Sequence, residues 1–485
     1  MGRPATVDLD FSKGVNEFFE SSSLPQGFAK EMRNWVPEEN GSLRVARGWE
    51  SASAASLTDT RTSRGLGYYV PSGGARYIVA QASDATHYKL WALAKGNLSA
   101  GTWSNFDNLT VSGSGGLVSF AAGAGVLLSA ATSYPSAYIR YWNGSSAGNA
   151  ATIALAGRAL IYHNNRFFTG GSDSEPTIQR WSELGSYTTW NTSTNFQPIG
   201  QEDGEPIEDF CSFDRSLFIG KENSIWYMSG FGPDTFSWRK IDGGGLAPGR
   251  TLVPTPSGII AIGRERIYNF TGGGFEPISQ PVENSYGMTG SFMTGCYIDG
   301  VVYMCDGGSG QIWRYDTRSQ AWSTQDVDDT VEGPNVVFTQ AGYLLAGTKQ
   351  AAANSILLYR GEPGGTRQMP ENTGVTYTAS TGDMFLTGPS RPYTVMQLDL
   401  ILRQRGGDET ETPITLNVYD ELGEVTLTKE IGPYPGTGVY RERLGIGRSG
   451  KFASRFELTQ SLLAGETSQF DIEKAALEIE EDELR

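Results

Sequence analysis

Residues 300–326 read GVVYMCDGGSGQIWRYDTRSQAWSTQD, and the reading of this stretch decides the fold. A short apolar run, Val301-Val302-Tyr303-Met304, leads to a turn at Asp306-Gly307-Gly308-Ser309-Gly310. A second run, Gln311-Ile312-Trp313-Arg314-Tyr315, leads to a turn at Asp316-Thr317-Arg318-Ser319, and a third carries Trp322. Alternating apolar residues between turns of this composition predict an antiparallel meander. One meander fits many β proteins, so the question is whether it repeats.

It does repeat. The strand around Ile312 has counterparts at Leu90, Ile139, Ile178, Ile225, Ile267 and Leu357. The separations along the chain are 49, 39, 47, 42, 45 and 45 residues. A period in the forties is that of a β-propeller, whose blades must stack because a single four-stranded sheet cannot bury both faces. The Gly-Gly, Tyr-Asp and Trp spacing of 300–326 resembles a kelch-type blade. Ahead of each anchor lies a more apolar run, such as 259–262 and 301–304. Behind many of them comes an aromatic: Trp103, Trp190, Trp238, Phe275 or Trp322. The expected fold is all-β: a propeller of about seven blades over 60–365, with six or eight also compatible, and a β-sandwich or solenoid as the competing architecture.

The flanks read differently. Residues 1–59 show few periodic elements and are expected to form an arm packing on the β domains. Pro37 and Asn40-Gly41 mark a turn before an alternating run at 42–46. Residues 361–374, GEPGGTRQMPENTG, form a Gly/Pro-rich break. Beyond it six strands are expected, at 375–381, 393–403, 414–419, 424–430, 452–460 and 470–479, making a β-sandwich-like platform domain over 366–485. Met396, Leu398, Leu400 and Leu402 alternate as in a half-buried strand. Residues 472–479 fit either a helix or a closing strand.

Composition narrows the function. With 485 residues and a net charge of −16, the chain is too acidic for a surface that grips nucleic acid through a basic patch. An acidic wall that DNA slides past is compatible with that charge. Cys211, Cys296 and Cys305 are odd in number and scattered, so buried thiols are expected rather than a disulfide framework. The N-terminal residues lack an apolar signal core, and 117–131 is too short and polar to span a membrane.

Signals for chemistry are sparse. His87 and His163 are the two histidines and lack metal-ligand neighbours, so each is expected as a turn or surface residue. Asp326, Asp328 and Asp329 lack the spacing of a calcium loop and read as a solvated turn. No nucleophile elbow, P-loop, dinucleotide fingerprint or sialidase-type Asp box occurs. The expectation is no catalytic residue, no metal and no cofactor. Arg441, Arg443, Arg448, Lys451 and Arg455 are the one local basic excess. They suit either exposed loop arginines or a contact to a neighbouring subunit or a phosphate backbone.

Three groups of residues together resemble a known family. They are Asn34-Trp35-Val36-Pro37 with Gly41-Ser42-Leu43-Arg44 and Arg47-Gly48; Tyr162-His163-Asn164-Asn165-Arg166-Phe167-Phe168 with Trp181-Ser182-Glu183-Leu184-Gly185, Trp190 and the blade at 218–227; and 441–447 with Arg455-Phe456-Glu457-Leu458 and 470–480. This order is similar to that of the tail hub, or nozzle, proteins of short-tailed bacteriophages, also called packaged-DNA stabilisation proteins. The resemblance implies a non-enzymatic virion tail protein, assembled in the host cytoplasm into a homohexameric ring. That ring would lie below the portal and adaptor proteins and would carry tail fibres or a needle. Genome DNA would pass through its lumen, retained and then ejected, without sequence-specific binding. The competing readings are a propeller enzyme acting on cell-surface polysaccharide and a partner-binding propeller scaffold.

Overall fold

The computed structural model describes residues 4–19, 24–46, 49–51, 62–83, 87–94, 103–110, 117–131, 139–150, 157–286, 292–306, 311–326, 332–340, 343–349, 358–361, 375–381, 393–404, 413–420, 424–434, 438–450, 455–462 and 470–481. The regular secondary structure of the described residues is β-strand apart from three single-turn 3₁₀ segments. Its larger part is a seven-bladed β-propeller. Blades 1 to 5 are four-stranded antiparallel sheets spanning 62–110, 119–149, 159–198, 207–241 and 252–277. Blade 6 is built from Met293–Ile298, Val301–Asp306, Gln311–Asp316 and Trp322–Asp326. The first strand of each blade neighbours the first strand of the next, and Glu332–Gln340 of blade 7 returns to Thr62–Tyr69 of blade 1, closing the circle.

Blade 7 is completed from the other end of the chain. Its first three strands are Glu332–Gln340, Tyr343–Lys349 and Leu358–Gly361, and its fourth is Trp49–Ser51, antiparallel to Leu358–Gly361. Closure by a distant strand joins the ring's two ends, so opening it must break strand pairing rather than one loop contact.

Apolar layers between the blades follow from the period-2 alternation. Phe106 stacks on Trp142 at 4.3 Å between blades 1 and 2. Phe168, Trp181, Phe236 and Trp238 cluster between blades 3 and 4. Phe218, Ile259 and Phe275 fill the layer between blades 4 and 5. Each such side chain, fully buried, contributes about 1.5–3 kcal/mol. Cys211, Cys296 and Cys305 are buried thiols, as expected, Cys211 in the layer between blades 4 and 5.

Downstream of the propeller two sheets face one another as a sandwich. One has the order Gly438–Gly450, Tyr393–Gln404, Phe470–Glu481, then the arm strands Leu43–Val45 and Trp35–Pro37, with Pro4–Asp8 also on Phe470–Glu481. The other runs Val425–Ile431, Ile414–Tyr419, Arg455–Leu462, Val375–Ser380, then Glu31–Arg33 of the arm. Val395, Leu398, Leu400, Leu402, Phe470, Ile472 and Leu477 of the first sheet meet Ile414, Leu416, Val418, Phe456 and Leu458 of the second.

The structure differs from the sequence expectations in three places and decides a fourth that the sequence left open. Gly438–Gly450 is a 13-residue strand that the charged, Gly-rich sequence GVYRERLGIGRSG hides. Residues 472–479 lie within a strand, because pairing on both sides outweighs the helix propensity of their alanines and glutamates. The described part of residues 1–59, which read as nearly featureless, contains seven strands of two to five residues, too short to show a period. Trp190 lies in the loop before Phe196–Pro198 rather than on the outer strand of blade 3, although its ring is buried. The turn 307–310 of the opening stretch lies outside the described residues.

Candidate functional site

Two places gather charged groups by tertiary structure: one end of the propeller axis, and the junction of arm, propeller and sandwich. At the axis, Gly249–Arg250 pairs parallel with the first strand of blade 6. The Arg250 guanidinium crosses to the far side of the ring. It donates to the Leu66 carbonyl of blade 1 at 3.2 Å and the Phe120 carbonyl of blade 2 at 3.0 Å. Asp209, on the first strand of blade 4, accepts from the backbone N–H groups of Thr251 at 2.8 Å, Leu252 at 2.9 Å and Phe210 at 2.9 Å. Burial pushes the Asp209 carboxyl up to about 6, against the lowering effect of those donors and of Arg250. Beside it, Glu208 is also raised by burial while Arg158 donates to it at 2.6 Å.

These groups are occupied with holding blades together. Asp209 is surrounded by backbone donors, and the guanidinium nitrogens of Arg250 engage carbonyls, so the arrangement is a tie across the axis. His163, expected at a turn or the surface, is instead buried at the end of Ala159–His163, its Nδ1 2.8 Å from Ser212 Oγ. Burial lowers its pKa. Ser212 lies three residues from Asp209 along one strand, about 10 Å away, so histidine and carboxyl are not brought together. Among the described residues no group of His, Cys, Asp and Glu is placed to hold a metal. Asp326 ends the last strand of blade 6; Asp328 and Asp329 lie outside the described residues, and nothing is described of the His87 side chain.

The raised carboxyl of Asp209 yields a prediction. Its pKa is higher folded than unfolded, so the folded chain holds this proton more tightly. The resulting stabilisation is complete below about 4 and is lost as pH rises through 6, amounting to about 3 kcal/mol. Glu208 and Glu31 are raised too and act in the same sense. Urea unfolding should therefore show a higher midpoint at pH 5 than at pH 7.5, and Asp209→Asn should remove most of that difference. An unchanged pH slope in the variant would refute the assignment.

At the junction, Glu31–Arg33 sits between two sheets. It is parallel to Trp322–Asp326 of blade 6 and antiparallel to Val375–Ser380 of the sandwich. One sheet thus runs from blade 6 through the arm into the sandwich. This addition buries Trp322, which an outer propeller strand would leave partly exposed. Asn34 then takes a left-handed turn (φ 62°), its N–H bonded to the Thr324 carbonyl and its own carbonyl to Ala46 N–H. The turn sends Trp35 into the sandwich core, where its ring is fully buried and Nε1 donates to the Phe470 carbonyl.

A groove of about 570 Å³ opens beside this strand. Glu17, Lys30, Glu31, Arg33, Arg455 and Glu457 supply its charges. Burial raises the Glu31 carboxyl, and the nearby Glu457 adds to the effect. Lys30 reaches the carbonyl of Phe19 at 3.1 Å, and Glu17 is held by Asn284 and Ser285 from the connector between blades 5 and 6. Arg455 stacks on Tyr419 at 4.0 Å, and the Tyr419 hydroxyl donates to Glu457.

The basic cluster of the sequence is therefore divided. Arg455 belongs to the groove. Arg441 and Arg443 lie on Gly438–Gly450 and share Asp399, at 3.2 and 3.0 Å. Arg448 is on the same strand, and Lys451 lies outside the described residues. Trp35 and Arg455 stood out in the sequence, but nothing local signalled Asp209, Arg250 or Glu31, whose partners lie in remote segments.

No protein-family profile matches the sequence, and no curated protein matches it. Solved structures do align. The WD40 domain of Neurospora crassa Pan2 aligns with a TM-score of 0.42 at 7% identity, covering 67% of this chain and 99% of that one. A luciferin-regenerating enzyme aligns at 0.36 and 11%, covering 67% and 98%. The exo-β-1,3-galactanase of Phanerochaete chrysosporium aligns at 0.30 and 9%, covering 89% and 100%. Likeness of this order carries no functional argument; the strand pairing itself defines the propeller. Among the described residues no helix is long and apolar enough to cross a membrane.

Proposed function

We propose that the chain is a structural subunit of a phage virion tail, a hub or nozzle wall element that works by assembly rather than catalysis. The observation that carries this reading is the arm strand Glu31–Arg33, which joins blade 6 to the sandwich as one sheet. A subunit that bears load in a pressurised channel gains from a junction made of strand pairing, since hinge motion there must break hydrogen bonds and a shared core. The net charge of −16 also suits a wall that DNA passes without adhering. With the propeller axis tied by Arg250, the lumen of such an assembly would lie between copies. Copies would form a ring, six in the family resembled, with portal and adaptor proteins on one side and fibres or a needle on the other.

The test is the mass and shape of the purified protein, alone and with a portal–adaptor complex, by light scattering and negative-stain imaging. A closed ring of about six copies, alone or on the portal–adaptor, is the expected result. A chain that stays monomeric under both conditions, or that depolymerises host capsule, overturns the reading.

A further inference from the structure

We propose that Asn143 is a modification site, one that converts to aspartate and isoaspartate in the folded chain through attack by the Gly144 amide nitrogen. This inference is independent of the assembly reading. The chain holds two Asn-Gly pairs, Asn40-Gly41 and Asn143-Gly144, and each is followed by serine. Glycine leaves the asparagine carboxamide open to the next backbone nitrogen, since it has no side chain in the way. By sequence the two sites are equivalent, and the fold separates them.

Both asparagines are exposed, and both carboxamide oxygens are held by two donors. Asn143 Oδ1 accepts from Ser145 N–H at 2.9 Å and Ser146 N–H at 2.8 Å. Asn40 Oδ1 accepts from Ser42 N–H at 3.0 Å and Ser42 Oγ at 2.7 Å. At either site these donors stabilise the oxyanion that forms on attack. The nucleophiles differ. Gly41 N–H donates to the Glu38 carbonyl at 2.9 Å, and the Asp10 carboxylate faces the Gly41 Cα. Acceptor and negative charge both oppose loss of the proton from that nitrogen. Gly144 N–H has no acceptor among the described residues, and its Cα faces only ring carbons of Pro71.

The step needs water alone. Solvent hydroxide removes the Gly144 proton, the nitrogen bonds to Asn143 Cγ, and the tetrahedral adduct expels Nδ2 as ammonia. Water then opens the succinimide at either carbonyl, leaving one carboxylate at 143 in an aspartyl or isoaspartyl linkage. The isoaspartyl form adds a carbon to the backbone directly after Trp142, whose ring stacks on Phe106 between blades 1 and 2.

The full chain can be incubated in mildly alkaline buffer, folded and in urea. The peptides holding each asparagine are then followed by mass spectrometry, with the two products separated by chromatography. In urea, where neither glycine nitrogen is held, both sites should convert at similar rates. In the folded chain Asn143 should convert about tenfold faster than Asn40, the effect expected of one backbone hydrogen bond. Equal rates in the folded chain, or a faster Asn40, overturn the proposal. So does an Asn143 that converts in urea and not in the folded chain.

Discussion

Replacing Trp35 with alanine should destabilise the chain by about 3–5 kcal/mol, the usual cost of emptying a large aromatic site in a core. The ring is fully buried, and its indole nitrogen has a carbonyl partner that the substitution leaves behind. More follows from where it sits. Its core is continuous from Ile262 and Val302 of the propeller through Met32 of the arm to Leu400 and Phe470 of the sandwich. Emptying it loosens an apolar path that couples the two domains. If the chain unfolds as one unit, the loss corresponds to a fall in Tm of roughly 4 °C. If coupling is lost, calorimetry should resolve one transition into two. Phe196→Ala, on the outer strand of blade 3 and partly exposed, serves as the comparison and should cost much less. A shift for Trp35→Ala no larger than for Phe196→Ala would show that the arm is not a staple.

The second large effect is expected at Gly249. Its φ is 131°, a region that side chains rarely adopt, and a Cβ there would lie 1.9 Å from the Met293 carbonyl oxygen. That oxygen belongs to backbone in a paired strand and cannot yield cheaply. Strain and overpacking together put Gly249→Ala at roughly 2–6 kcal/mol. The substitution also moves the neighbouring Arg250 away from the carbonyls of blades 1 and 2, so the damage should reach across the ring. Hydrogen exchange should then rise in 66–69 and 119–122, in blades far along the chain from the substitution. Gly73→Ala is the control: no atom lies near its would-be Cβ, and it should be nearly neutral. Gly14 resembles Gly249, with φ 70° and a would-be Cβ 2.3 Å from the Trp322 carbonyl oxygen, and Gly14→Ala should loosen the arm in the same way.

The propeller was legible because each blade encodes itself. Ile225, Ile267 and Ile312 each sit on a strand whose neighbours follow within about twenty residues, so alternation and turns report local pairing. The sandwich was partly legible for the same reason: Leu398, Leu400 and Leu402 alternate and are buried. The strand Gly438–Gly450 was not. Its outward arginines and glycines look like a loop, and what makes it a strand is the register against Tyr393–Gln404.

What the sequence by itself determined is the repeating unit, about seven of them, and a change of pattern after 361–374. What only the tertiary structure decided is how the units are locked. The outer strand of blade 7 comes from 49–51, the bridge to the sandwich from 31–33, and the tie across the axis from Arg250. Each is a segment of two or three residues whose partners lie from about 130 to more than 340 positions away. Segments so short carry no periodicity, and their conformation is fixed by the surfaces that receive them. The meander at 300–326 announced a blade; only the folded chain shows that blade's outer strand built into the joint between propeller and sandwich.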